Sequence, residues 1–312
     1  MSLARRVVLA ALAGSAVSGC GISRRSAAPR PQTSAPQAPA LAAPVTPEPS
    51  TGPSAGPSAA PAAEQAPGPA ARAVPAVLPG RAELVERLSG ESPRSWGFDP
   101  PGAATELPEG ERAIALTFDA CGGPGGSGYD EALIGTLRAR QVPATLFLNS
   151  RWVEANPELF RELAGDPLFE IGNHGTRHRP LSVTGRSAYD IAGTRDVGEV
   201  YDEVAGNQEG LTELLGRPPA FFRSGTAYYD DVAAQVVTAL GARIAGFTVN
   251  GDGGATFGAE QVRRTVAAAG PGSIVLAHMN HPGSGTARGV AAALPELLDA
   301  GHRFVRLSDV AW

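Results

Sequence analysis

The chain has 312 residues with 26 basic and 31 acidic side chains, a net charge of −5, and every basic residue is an arginine. Past residue 80 the balance is 20 arginines against 29 acidic groups, which argues against nucleic acid as a partner. Two cysteines exclude a disulfide scaffold, while 28 prolines and 39 glycines point to a long stretch that builds no core.

The N-terminus, Met1-Ser2-Leu3-Ala4-Arg5-Arg6, leads through apolar Val7 to Ala13 and on to Val17-Ser18-Gly19-Cys20. A positive start, a short apolar run and small residues before a cysteine make residues 1–20 a secretion signal. The run is too short to span a bilayer stably. Val17-Ser18-Gly19-Cys20 resembles the lipobox of bacterial lipoproteins, which implies that Cys20 becomes the lipidated N-terminus. Arg5-Arg6 is a looser match to a twin-arginine export signal. Residues 21–80 are mostly Ala, Pro, Ser and Gly without apolar periodicity, and read as a disordered tether. Such a tether spans roughly 45 Å as a coil and up to roughly 180 Å as extended polyproline II. These expectations make the protein exported and membrane-anchored, facing the cell wall or periplasm, with residues 81–312 forming one large domain.

From residue 110 short apolar runs alternate with segments of helical periodicity. Predicted strands cover 112–118, 144–149, 169–173, 220–223, 243–249, 273–278 and 303–307. Predicted helices cover 129–140, 157–164, a long stretch within 188–215, 230–240, 259–268 and 287–300. Pro157 after Asn156 marks a helix start, and Gly241, Gly270 and Gly301 fit helix stops. Strict alternation implies parallel pairing and an α/β architecture, for which seven units suit an incomplete (β/α) barrel. An open doubly wound sheet stays compatible with the pattern.

Chemistry in such barrels gathers at the carboxyl ends of the strands. Here those ends carry Asp119, Asn149, His174, Arg223, Asn250 with Asp252, and His278. His174 and His178, four apart, converge on one ion if the backbone turns helically between them. The glycines of Gly122-Gly123-Pro124-Gly125-Gly126 lack the lysine and hydroxyl of a phosphate loop and read as a rim loop.

With these residues in order, the domain resembles the polysaccharide deacetylases of carbohydrate esterase family 4, which carry the NodB homology domain on a distorted (β/α)7 barrel. Thr117-Phe118-Asp119 matches the first motif, His174 to His178 the second, Phe222-Arg223 the third, the Asn250-Gly251-Asp252 region the fourth and Leu276-Ala277-His278 the fifth. The resemblance implies hydrolysis of N-acetyl groups on a sugar with a divalent metal, usually zinc. It implies that His174 and His178 hold the metal, that Asp119 is the base, paired with Arg223, and that His278 is the general acid. Asp252 would orient or tune His278, although the fourth motif lacks its usual second Asp-Trp pair. The substrate would be an acetylated polysaccharide of the peptidoglycan or poly-N-acetylglucosamine type, and the protein a monomer.

Two departures stand out. Where the family supplies a second aspartate as metal ligand this chain has Ala120, followed by Cys121. A catalytic zinc takes about three protein ligands, so the Cys121 thiolate, Asp119 itself or a water would fill the vacancy. Cys121 reads equally as a small buried apolar side chain. Should Asp119 ligate, the base falls to another group such as Asp252. At Ser224-Gly225-Thr226 the family has a proline pair and an aromatic, and a main-chain N–H near Thr226 would still serve an oxyanion. Tyr228 and Tyr229 are candidates to line the sugar groove and Trp152 to stack on sugar, while Trp96 and Trp312 read as packing. His281 reads as a loop residue and His302 as structural. The alternatives are a catalytically degenerate barrel that binds glycan or metal, favoured by Ala120, and a hydrolase of other carbon–nitrogen amide bonds.

Overall fold

The structure, a computed structural model, describes residues 78–312. The expected signal segment, Cys20 and all but the last residues of the tether lie outside the described residues. Among the described residues the first element is helix α1 (Arg81–Leu88), followed by β1 (Trp96–Gly97).

The central sheet starts with β2 (Ala115–Ala120), helix α2 (Glu131–Ala139) and β3 (Ala144–Leu148). Helices α3 (Ser150–Ala155) and α4 (Pro157–Gly165), strand β4 (Phe169–Asn173) and the long α5 (Val197–Leu215) come next. The remainder comprises β5 (Phe221–Phe222), β6 (Tyr229–Asp230), α6 (Asp231–Ala239), β7 (Arg243–Ile244), β8 (Val249–Asn250), α7 (Ala259–Ala267), β9 (Ile274–His278) and α8 (Thr286–Asp299). Seven of these strands make one sheet in the order β7-β5-β4-β3-β2-β9-β8, every pairing parallel. It curls into a half-barrel sheathed by helices, the α/β architecture the alternation predicts.

Local chemistry accounts for the elements. Every residue of β2, β3 and β4 is buried, as expected where helices cover one face and the barrel interior the other. Carboxylates cap the following helices: Asp130 accepts from the Leu133 N–H at 3.1 Å, Asp196 from Glu199 at 2.8 Å and Asp230 from Ala233 at 2.7 Å. Pro157 starts α4, and α5 stops at Gly216 in the left-handed region.

Alternation along β2 sends Leu116, Phe118 and Ala120 into the layer under α2, α7 and α8. It turns Ala115, Thr117 and Asp119 to the concave side. There Ala115, Phe147, Phe221, Ala245, Ile274 and Leu307 plug the barrel floor, leaving the polar groups of the strand ends stacked above an apolar base.

Two predicted strands differ. The run 243–249 is not one strand. Arg243 and Ile244 pair with β5 at one edge of the sheet, while Val249 and Asn250 pair with β9 at the other. The segment between them crosses the gap, so it closes the barrel instead of occupying a single position in it. The run 303–307 makes one bridge, Ile114 with Phe304, and then turns into a 3-10 helix at Leu307–Asp309. With β7 and β8 holding both edges, no register is left for it to extend, and Asp309 accepts the Arg306 N–H at 2.8 Å instead. Three features went unforeseen, the first being the short helix α3 before Pro157. Leu84 and Leu88 of α1 pack in the cluster with Val197, Val200 and Val204 of α5, and β1 pairs antiparallel with β6.

Candidate active site

The register of the parallel strands sets Asp119 directly beside His278. Arg223, fully buried after β5, reaches across to them. Its Nη1 donates to Asp119 Oδ1 and to Thr117 Oγ1, each at 2.8 Å. Its remaining donors go to the carbonyls of Ala245 at 3.1 Å and Gly246 at 3.0 Å, and its plane lies over Phe147. Burial alone would raise the Asp119 carboxyl, but Arg223 and the nearby imidazoles hold it below the usual carboxylate range.

His278 is fixed from the other side. Its Nδ1 lies 2.9 Å from Asp252 Oδ1, and its backbone N–H donates to Asp252 Oδ2 at 2.7 Å. Thr286 donates to the same oxygen at 2.8 Å. Burial opposes charge on the imidazole, yet Asp252 and Cys121 raise its pKa well above the ordinary value. A ring whose Nδ1–H is engaged by a carboxylate presents Nε2 to the cleft.

Between these two pairs, Cys121, His174 and His178 each offer a donor atom within 4.8 Å of the others. His174 Nδ1 donates to the Arg223 carbonyl at 2.9 Å, which leaves the lone pair on Nε2, 3.9 Å from Cys121 Sγ and 3.8 Å from Asp119 Oδ2. His178 Nε2 is buried without a hydrogen-bond partner among the described residues. Burial would raise the Cys121 thiol, but the charge on His178 and bonds to the imidazoles lower it well below the ordinary range, and the thiolate is the ligating form. An orphaned imidazole nitrogen, a tautomer-locked imidazole and a thiolate fit a divalent cation.

The backbone does not turn helically between the two histidines, as their spacing suggested. β4 ends at Asn173, and Gly175 (φ 75°) and His178 (φ 60°) adopt left-handed conformations that bring the rings to 5.0 Å between centroids. What holds that loop is a buried set of groups of which the sequence singled out only Asn149. Glu203 of α5 accepts the N–H of Arg177 at 2.9 Å and of Arg179 at 3.2 Å, while Asn149 donates to the carbonyls of His174 and Gly175. Asn173 Oδ1 accepts from Gly175 N–H and from Asn207, each at 2.8 Å. A run of polar residues at helical spacing on the inner face of α5 (Glu203, Asn207, Gln208) is the signal that would have found them.

Gly225 lies flat against this loop. A Cβ there would sit 2.3 Å from the His178 carbonyl carbon and 2.5 Å from its Cα. Gly225→Ala is therefore expected to push His178 off its position and weaken metal binding on the order of tenfold to a hundredfold. Calorimetric titration of the variant with zinc tests this. Affinity equal to the parent's would show that the loop gives way freely.

The remaining candidates separate. Thr226 is half-buried beside Gly225, and Tyr228 is half-buried on the same loop. Tyr229 is 1% exposed and accepts the Ser224 N–H at 2.6 Å, so it is core and not groove. Trp152 is also core: it is fully buried and donates to the Gly128 carbonyl at 2.7 Å, which leaves no face for sugar. Asn250 is exposed and caps its own loop at Gly253. His281 lies on the loop after β9, where with Asn280, Thr256 and Ser284 it lines a cleft of about 480 Å³.

Residues 106–245 match the family model for polysaccharide deacetylase. A curated relative, a peptidoglycan-N-acetylglucosamine deacetylase of Bacillus cereus, is 29% identical over 218 residues, 68% of this chain and 95% of the relative. Among solved structures, the family 4 carbohydrate esterase PdaA of Bacillus subtilis superposes with a TM-score of 0.54 at 21% identity, over 73% of this chain and 87% of its own. A pseudoenzyme of the same family from Bacillus anthracis superposes with a TM-score of 0.56 at 19% identity, over 68% of this chain and 69% of its own. Family model, curated relative and shared fold agree on one likeness: residues 106–245 are similar to polysaccharide deacetylases, and the fold is that of the family 4 carbohydrate esterases.

Proposed function

We propose that this protein is a metal-dependent hydrolase that removes N-acetyl groups from a cell-wall or surface polysaccharide of the peptidoglycan or poly-N-acetylglucosamine type. The observation that carries the reading is the placement of the Cys121, His174 and His178 donors between an arginine-held carboxylate and a carboxylate-held imidazole. Those three residues would hold the metal, zinc by the softness of the donor set. When bound, it supplies Lewis-acid polarisation of the acetyl carbonyl and acidifies the attacking water.

The protein's own groups then divide the proton transfers. Asp119, ionised and oriented by Arg223, takes the proton from water as its oxygen bonds to the acetyl carbon. His278, kept protonated by Asp252, delivers a proton from Nε2 to the amine nitrogen as the carbon–nitrogen bond breaks. The products are acetate and a free amino sugar. A main-chain N–H near Thr226 would stabilise the oxyanion, and Tyr228 would border the sugar. The predicted lipid on Cys20 and the tether would carry the domain out from the membrane towards its substrate.

A second reading, a barrel that binds glycan or metal without turnover, draws on Ala120 and on the pseudoenzyme among the structural relatives. Acetate release separates the two. The full chain with zinc is expected to liberate acetate from N-acetylglucosamine oligomers, to stop when a chelator is added, and to recover when zinc is restored. No acetate from the zinc-loaded chain would favour the binding module.

A further inference from the structure

Next to the loop of His174 and His178 lies a group of aromatic rings of which the proposed function uses only Tyr228. Tyr228 stacks on Trp96 at 5.4 Å between centroids and meets Phe98 at 4.2 Å, and Phe98 meets Phe247 at 5.4 Å. Tyr189 stands edge-on to Tyr228 at 5.7 Å, and the Arg186 guanidinium lies 4.9 Å over the Trp96 ring. These side chains come from separate parts of the chain. Trp96 and Phe98 precede residues 106–245, the stretch matched by the family model.

Tyr189 is the informative member. It is 67% exposed, among the most exposed large apolar side chains described. It also occupies an unfavourable backbone position: Ala188 and Ile191 exchange hydrogen bonds at 3.1 Å and 2.9 Å, and the two residues between them, Tyr189 and Asp190, both have positive φ, 53° and 61°. A two-residue hairpin turn of this hand favours asparagine and glycine. A tyrosine there carries backbone strain without gaining burial, a combination that points to a use for the exposed ring.

The shelf is joined to the site by two short connections. Tyr228 lies three residues past Gly225, whose backbone abuts His178, and Phe247 follows Gly246, whose carbonyl holds Arg223. We propose that this aromatic shelf is a stacking site for a sugar ring of the glycan chain, one beyond the unit whose acetyl group is attacked. A pyranose presents a flat face of C–H groups that packs on aromatic rings, with hydroxyls at its rim for Arg186 and Asp190. The inference rests on the deacetylase reading for the kind of ligand, and on the shelf itself for the place.

The test uses the full chain treated with chelator, titrated with N-acetylglucosamine tetramer and followed by calorimetry and tryptophan fluorescence. Tyr189→Gly is expected to bind the tetramer roughly tenfold more weakly, with a melting temperature equal to or above the parent's because glycine relieves the positive φ. Tyr189→Trp, which restores a ring, is expected to keep the affinity. A packing role alone would lower the melting temperature of Tyr189→Gly and leave binding untouched. Equal tetramer affinity in parent and Tyr189→Gly overturns the shelf, as does an absence of tetramer binding by the parent at millimolar concentration. Tyr189-dependent binding without acetate release by the zinc-loaded parent would keep the shelf and remove the deacetylase reading. Acetate release with the same KM for tetramer in parent and Tyr189→Gly would do the reverse.

Discussion

Replacing Cys121 by alanine is expected to strip the metal from the protein, lowering zinc affinity by at least about a hundredfold. The expectation follows from the donor count. Cys121, His174 and His178 are the set that converges, and a zinc site left with two protein ligands is short of the three that catalytic sites use. Ala120, where the resemblance to the deacetylases leads one to expect a carboxylate ligand, packs its side chain into the helical layer. The thiol one residue later stands beside both imidazoles. Metal analysis of the purified Cys121→Ala and Asp119→Asn chains checks the assignment. Zinc lost from the first and kept by the second identifies the thiolate as the third ligand. The opposite result would make Asp119 the ligand and move the base elsewhere.

The second large effect concerns turnover. Asp119→Asn and His278→Ala are each expected to lower kcat for acetate release by about 10^2- to 10^4-fold while zinc content is retained. Their stabilities should differ. Arg223 is fully buried and Asp119 is its carboxylate partner, so Asp119→Asn leaves a buried cation without a counter-charge, a loss that can reach about 3–5 kcal/mol. That corresponds to a melting temperature lower by roughly 10 °C for a domain of this size. His278→Ala also removes a counter-charge from a buried partner, Asp252, but leaves that carboxylate its bonds to the backbone N–H of residue 278 and to Thr286, so it should lower the melting temperature by less than Asp119→Asn. Acetate release measured well below both midpoints separates chemistry from folding. Turnover within about threefold of the parent in either variant would remove that residue from the proton-transfer scheme.

The barrel was legible in the sequence where burial acts on both faces of a strand. β2, β3 and β4 stand within three residues of their predicted limits because apolar runs flanked by helices have few other solutions. The edges were not legible. Residues 243–249 carry a strand-like pattern, yet their pairing is decided by β5 and β9, elements distant in sequence and on opposite sides of the sheet. The same distinction holds for the site. The strand-end groups Asp119, Arg223 and His278 follow from the alternation. The way His174 and His178 meet depends on Glu203 and Asn207 of α5, which a local pattern of four-residue spacing does not include.

The split run also constrains how the molecule assembles. Arg223 draws acceptors from Ala245 and Gly246, in the segment that bridges the two edges of the sheet, and from Thr117 and Asp119 at its centre. Until β7 and β8 have both docked, the guanidinium lacks part of this coordination while its surroundings are losing water. Pairings of this sequence separation form late because the connecting chain must be ordered first. A half-closed or mis-registered sheet would therefore bury an unsatisfied charge, and its energy would rise instead of falling. The residue that orients Asp119 thus also penalises incomplete barrels, so that folding errors and loss of the ionised carboxylate are purged by the same interaction.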